Sequence, residues 1–115
     1  MRLLAPLAVL MLSMPAAGQD GQAAINSAMD SYTDCIIFNR DRLLTSNEAP
    51  QDIATAVLSA CRNRQNVLAE AYRQDLLFMR DQAKAKVIVE RETAKTEAVM
   101  RDAIIGSIVE YRLKP

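Results

Sequence analysis

The chain of 115 residues is long enough for one small domain, and its 14 basic and 14 acidic residues balance. Because the two signs alternate along the chain, the sequence predicts no basic surface of the kind that binds nucleic acid. Histidine is absent, so the usual base for catalysis near neutral pH and the commonest zinc or copper ligand are both missing. We therefore predict that the protein is no enzyme and has no metal, no cofactor and no nucleic-acid partner.

The first 18 residues have the features of a secretory signal peptide. Arg2 supplies a positive charge, residues 3–14 form an uncharged apolar run, and small residues precede Gln19 as at a cleavage site. A retained membrane anchor is the alternative, but the apolar run is shorter than the roughly 20 residues that a span needs. We expect cleavage after residue 18 and a mature domain, residues 19–115, in the periplasm or outside the cell.

The mature domain predicts an all-α fold, because good helix formers dominate and helix breakers are rare. An antiparallel helical hairpin or a three-helix bundle is expected, with helices at about residues 22–45, 50–80 and 86–113. We place a break between Met79 and Val87, where the apolar pattern thins. The alternative is a long C-terminal helix that is continuous with the second helix and projects for self-association.

Apolar residues recur at helical spacing in the first two helices. The predicted buried stripe of the first helix is Ile25, Met29, Tyr32, Ile36, Asn39 and Leu43. That of the second helix is Ile53, Val57, Ala60, Arg64, Val67 and Ala71. Arg64 comes level with Tyr32, and we expect its guanidinium group near that ring. An anion site between the helices is the alternative.

Cys35 and Cys61 are predicted to form a structural disulfide. An even number of cysteines in an exported protein is typical of disulfide pairing. Turn-forming residues independently predict a chain reversal near residue 48, and the two cysteines lie at equal distances before and after it. The Cys-x-x-Cys spacing of redox pairs is absent. For the cysteines to meet, the helices must roll so that one flank of the first, Ala28, Cys35 and Arg42, approaches Leu68, Cys61 and Ala54.

The segment 103–109 is apolar on nearly all sides and too short to span a bilayer. A helix of this kind is usually buried on more than one face. We therefore expect Ile104, Ile105 and Ile108 to be buried, either against the hairpin or in an interface with a second copy.

No motif identifies an activity. In size, signal and cysteine number the chain resembles small two-cysteine helical proteins of the bacterial envelope, such as periplasmic acid-stress chaperones, although no motif aligns. We interpret it as an exported protein that works through protein–protein contact, as an adaptor, inhibitor, chaperone-like protein or assembly subunit, with an unknown protein partner or as a homo-oligomer. The alternatives are a small ligand carrier or enzyme with an unrecognised pocket, and a membrane-surface protein, for which no predicted helix has a basic face with aromatic anchors.

Overall fold

A computed structural model describes the backbone of residues 19–115 and the side chains from residue 21 onward. The predicted signal peptide, residues 1–18, lies outside the described residues. The chain folds into four helices without a strand in the described range: α1 (Gln19–Arg42), α2 (Pro50–Ala60), α3 (Arg62–Asp75) and α4 (Gln82–Leu113). The predicted all-α fold, a small helical bundle, is confirmed.

The chain reverses at residues 43–49, where the sequence predicts the turn. Pro50 occupies the first turn of α2, where its missing N–H costs nothing. Arg112, near the end of α4, reaches back across this turn and donates hydrogen bonds to the carbonyls of Ser46 and Glu48. These hydrogen bonds connect the turn to α4, in addition to its chain connections to α1 and α2.

The predicted second helix is in fact two helices, because Cys61 leaves the helical backbone (φ −102°, ψ 13°) between α2 and α3. The predicted break before the last helix is present but comes earlier. Residues 76–81 separate α3 from α4, and α4 begins at Gln82 rather than near residue 86. Asp81 caps α4 by accepting a hydrogen bond of 3.0 Å from the backbone N–H of Lys84. The alternative of one continuous helix is therefore wrong.

The core lies where α1 packs mainly against α3 and α4 packs mainly against α2. Its buried side chains come from all four helices. They are Ile25, Ala28, Tyr32, Ile36, Ile53, Ala54, Val57, Leu58, Cys61, Leu68, Ile104 and Ile108.

The stripe predicted for the first helix is confirmed, since all six of its residues are buried or half-buried. The helix itself is shifted from the predicted 22–45, so that Leu43 lies just beyond the end of α1. The stripe predicted for the second helix is correct at Ile53 and Val57 but wrong at Ala60, Arg64 and Val67, which are exposed. Leu58, Cys61, Gln65 and Leu68 take the inner face instead. Two physical reasons account for the shift: the interruption at Cys61, and the roll that brings Cys61 toward α1.

The segment 103–109 packs inward on one face only. Ile104 and Ile108 are buried in the core against the hairpin, Ile105 is half-buried, and Val109 is exposed. Of the two expectations for this segment, burial within the chain is the one that the structure shows. Ile104 and Ile108 are thus already covered by the protein's own helices.

Candidate functional site

The disulfide joins α1 to the junction of α2 and α3. The α-carbons of Cys35 and Cys61 are 5.9 Å apart, within the range that a disulfide requires. Cys61 is fully buried, whereas Cys35 is half-buried. The bond therefore runs from the core to the edge of the groove between α1 and α3. The roll predicted for this pairing is present on the inner side, where Ala28, Ala54 and Leu68 are all buried, while Arg42 stays in solvent.

A buried amide connects the disulfide to the protein surface. The Asn39 side-chain nitrogen donates to the carbonyl of Cys35 at 2.9 Å and lies 3.4 and 3.5 Å from the sulfurs of Cys35 and Cys61. Its oxygen accepts a 2.9 Å hydrogen bond from Arg42. The Arg42 guanidinium carbon in turn lies 6.0 Å from the centre of the Phe38 ring. Asn39 thus has partners for both ends of its amide and helps to position a surface arginine and an aromatic ring.

An open groove runs beside this cluster, between α1 and α3. One part of it has a volume of about 560 Å³. Among the residues that line it are Ser27, Asp30, Ser31, Asp34, Phe38 and Arg64. Through Ser27 and Ser31 it continues into a more apolar part that also contains Ala24, Ala28, Val67 and Ala71. We refer to the whole as the α1–α3 groove.

Two large apolar side chains of the groove remain in contact with solvent. Phe38 is 66% exposed and Val67 is 56% exposed. Beside them, exposed Arg64 donates a hydrogen bond to the hydroxyl of Ser31. The prediction that Arg64 lies near the ring of Tyr32 is wrong, because Tyr32 is enclosed in the core and Arg64 turns to the outer side of the helix pair.

The groove offers recognition chemistry more readily than catalysis. Its carboxylates, Asp30 and Asp34, are exposed, whereas acid–base catalysis needs a carboxyl group withdrawn from water. Across the described side chains, no three His, Cys, Asp or Glu residues converge in a way that could hold a metal ion. An apolar strip with a charged rim between two antiparallel helices has instead the form in which a partner helix can lie.

The structure separates the residues singled out from the sequence. Cys35 lies at the groove and Cys61 directly beneath it, while Ile104 and Ile108 are elsewhere in the core and Ile105 is at its edge. Sequence reasoning missed Phe38, the residue that most distinguishes the groove. A signal was present: Phe38 is a large aromatic residue four positions from both Asp34 and Arg42, on the polar face of its helix.

None of the helices formed by residues 19–115 combines the length and the apolar composition needed to cross a membrane. Comparison of the chain with protein-family models, with curated proteins and with solved structures found no match.

Proposed function

We propose that this protein is an exported helical protein of the cell envelope that works through protein–protein contact, and that the α1–α3 groove is its contact surface. The observation that carries the proposal is the exposure of Phe38, 66% of whose surface is in water beside an open groove. Burial of an aromatic ring in the core would stabilise the fold, so stability does not explain why Phe38 is exposed. Aromatic side chains with a polar surround are typical of the centres of protein interfaces.

The charges around Phe38 support the same assignment. Asp30, Asp34 and Arg64 line the groove together with Phe38, and Arg42 lies beside the Phe38 ring. An apolar centre with a rim of both signs gives a partner apolar burial in the middle and orientation at the edge.

The groove is also held in shape before any partner arrives. The disulfide fixes α1 to the junction of α2 and α3 at the groove's edge, and Asn39 hydrogen-bonds to both Cys35 and Arg42. A surface that needs no rearrangement loses less conformational entropy on binding. The rival reading, a small ligand carrier, fits less well because ligand pockets enclose most of their ligand, whereas this groove is open along its length.

Site-specific photo-crosslinking tests the proposal. A photoreactive phenylalanine analogue placed at Phe38 should capture a defined envelope protein, whereas the same group at Val99, 63% exposed on α4, should not. With that protein purified, Phe38→Ala should weaken binding by about tenfold or more, as for a central aromatic contact. The matched Val99→Ala variant should bind like the wild type. Equal crosslinking from both positions, or binding unaffected by Phe38→Ala, would contradict the proposal that the α1–α3 groove is the contact surface.

A further inference from the structure

A second exposed apolar surface lies at the opposite end of the helix pair from the turn at residues 43–49. It comprises residues 76–87, the connection between α3 and α4 and the first turns of α4, and we refer to it as the tip. Phe78 is 81% exposed, the highest value among the large apolar side chains that the structure describes, and Leu77 and Val87 are 54% and 57% exposed. The tip shares no residue with the α1–α3 groove, so its role is independent of the function proposed above.

The exposed conformation of the tip is fixed by hydrogen bonds. The Gln82 side-chain amide donates to the carbonyls of Leu76, Leu77 and Met79. The backbone N–H of Met79 also donates to the carbonyl of Leu76 at 3.1 Å. Leu76 and Met79 are half-buried, so the turn directs Leu77 and Phe78 outward. The two side chains are therefore presented to the surroundings by an ordered turn.

The charged side chains of the tip are mainly basic. Arg80, Lys84 and Lys86 are all exposed, and the single acidic side chain of the tip, Asp81, is engaged as the cap of α4. The first turn of α4 has no acidic residue, although the positive end of the helix dipole favours one there. Helix stability therefore does not account for the charge of this turn.

We infer that the tip inserts Leu77 and Phe78 into the interface of a lipid bilayer that carries anionic headgroups. Aromatic and aliphatic side chains that lie at the depth of the headgroups, flanked by lysine and arginine, are the features of interfacial membrane binding. No helix predicted from the sequence has this combination, because the apolar anchors lie in a turn between helices.

The size of the surface favours a bilayer over a second copy of the chain. A stable protein interface buries about 1,200–2,000 Å² in total, whereas an aromatic side chain contributes about 150–250 Å². A projecting turn with two or three apolar residues falls short of that area. A bilayer can accept such a turn without a complementary pocket, and the basic residues match its charge.

Tryptophan fluorescence tests the inference directly, because the chain contains no tryptophan. Phe78→Trp introduces one reporter, and its emission should shift to shorter wavelength when vesicles of phosphatidylcholine and phosphatidylglycerol are added. The shift should be much smaller with phosphatidylcholine alone. The control Val99→Trp, on an exposed site of α4 away from the tip, should show no shift. Unchanged emission of the Phe78→Trp protein on anionic vesicles would overturn the inference.

Vesicle co-sedimentation separates the apolar from the charged contribution. Phe78→Ser should abolish most of the binding, and Lys84→Gln and Lys86→Gln should each weaken it about fivefold. Circular dichroism shows whether each variant retains its helices. If Phe78→Ser does not fold, Leu77→Ser serves as the second test. Retained binding in folded Phe78→Ser and Leu77→Ser variants would contradict the inference. So would a lipid-free dimer that Phe78→Ser dissociates, since that result would assign the tip to a second copy.

Discussion

Gly21 of α1 lies directly against the carboxylate of Asp75, the last residue of α3, so closely that a Cβ at position 21 would collide with it. These two residues are paired in the same register as Cys35 and Cys61, which the disulfide joins. The register set by the turn and the disulfide therefore continues without a slip to the far end of the hairpin. Helix packing and the disulfide thus specify the same alignment of α1 against α3.

Loss of the disulfide should lower stability more than it changes structure. Reduction, or Cys61→Ser, should decrease the free energy of unfolding by about 3 kcal/mol, because the unfolded chain is no longer constrained. For a domain of this size the melting temperature should fall by roughly 10–20 °C. Helix content at low temperature should stay near that of the oxidised protein, as judged by circular dichroism. An unchanged melting temperature would show that the bond adds nothing to the packed hairpin.

Neighbouring residues of α4 should differ sharply in their contribution to the core. Ile108 is fully buried and Val109 is 43% exposed. Ile108→Ala should therefore cost about 2–5 kcal/mol through lost burial and the cavity left behind, whereas Val109→Ala should cost less than about 1 kcal/mol. Urea denaturation of both variants measures the difference. Similar midpoints for the two would mean that this end of α4 is not packed as described.

The hydroxyl of Tyr32 is buried and makes no hydrogen bond to the described residues. Burial of an unpaired hydroxyl is unfavourable, so its removal with retention of the ring should not destabilise the fold. We expect Tyr32→Phe to be neutral or to stabilise the protein by about 1 kcal/mol. Tyr72→Phe, at a half-buried position, serves as the matched control. A clear loss of stability on Tyr32→Phe would reveal a partner for the hydroxyl.

The buried Tyr32 should make the stability of the protein sensitive to alkaline pH. Burial raises the pKa of Tyr32 above its ordinary value of 10.0, the carboxylate of Glu97 raises it further, and the positive charge of Arg62 opposes the shift. The folded state therefore holds this proton more tightly than the unfolded state does. The associated stability is complete below the unfolded pKa and is lost as the pH rises above it. Denaturation curves at about pH 8 and about pH 11 should show a larger decrease for the wild type than for Tyr32→Phe, and equal decreases would contradict the assignment.

Sequence periodicity predicted the first helix and the turn because single residues there admit one interpretation. Ile25, Tyr32 and Ile36 recur at helical spacing along one stripe, and Pro50 is favoured at the first turn of a helix and disfavoured in its interior. In the second helix, Val57 is followed by Leu58 and Val67 by Leu68, so two stripes fit equally well. Tertiary contacts decide between them, and those contacts depend on the disulfide and on α4.

The candidate surfaces were harder to predict, because exposure is a property of the assembled fold. Phe38 and Phe78 are as apolar as any core residue, and no spacing rule by itself excludes them from the interior. One local signal was available at the tip: Asp81 is a favourable N-cap residue and marks the start of α4. The position of the break could thus have been predicted more closely, whereas the outward direction of Phe78 depends on the hydrogen bonds of Gln82.

A single tryptic peptide pair tests the central claim, an exported hairpin closed by one disulfide. Trypsin cleaves after Arg40, Arg42 and Arg62 and finds no site between residues 3 and 39. Non-reducing mass spectrometry of the protein from cells should therefore detect residues 19–40 linked to residues 43–62. The first peptide reports signal cleavage and the link reports the Cys35–Cys61 bond. Free thiols in both peptides, or a first peptide that begins at residue 3, would contradict the account.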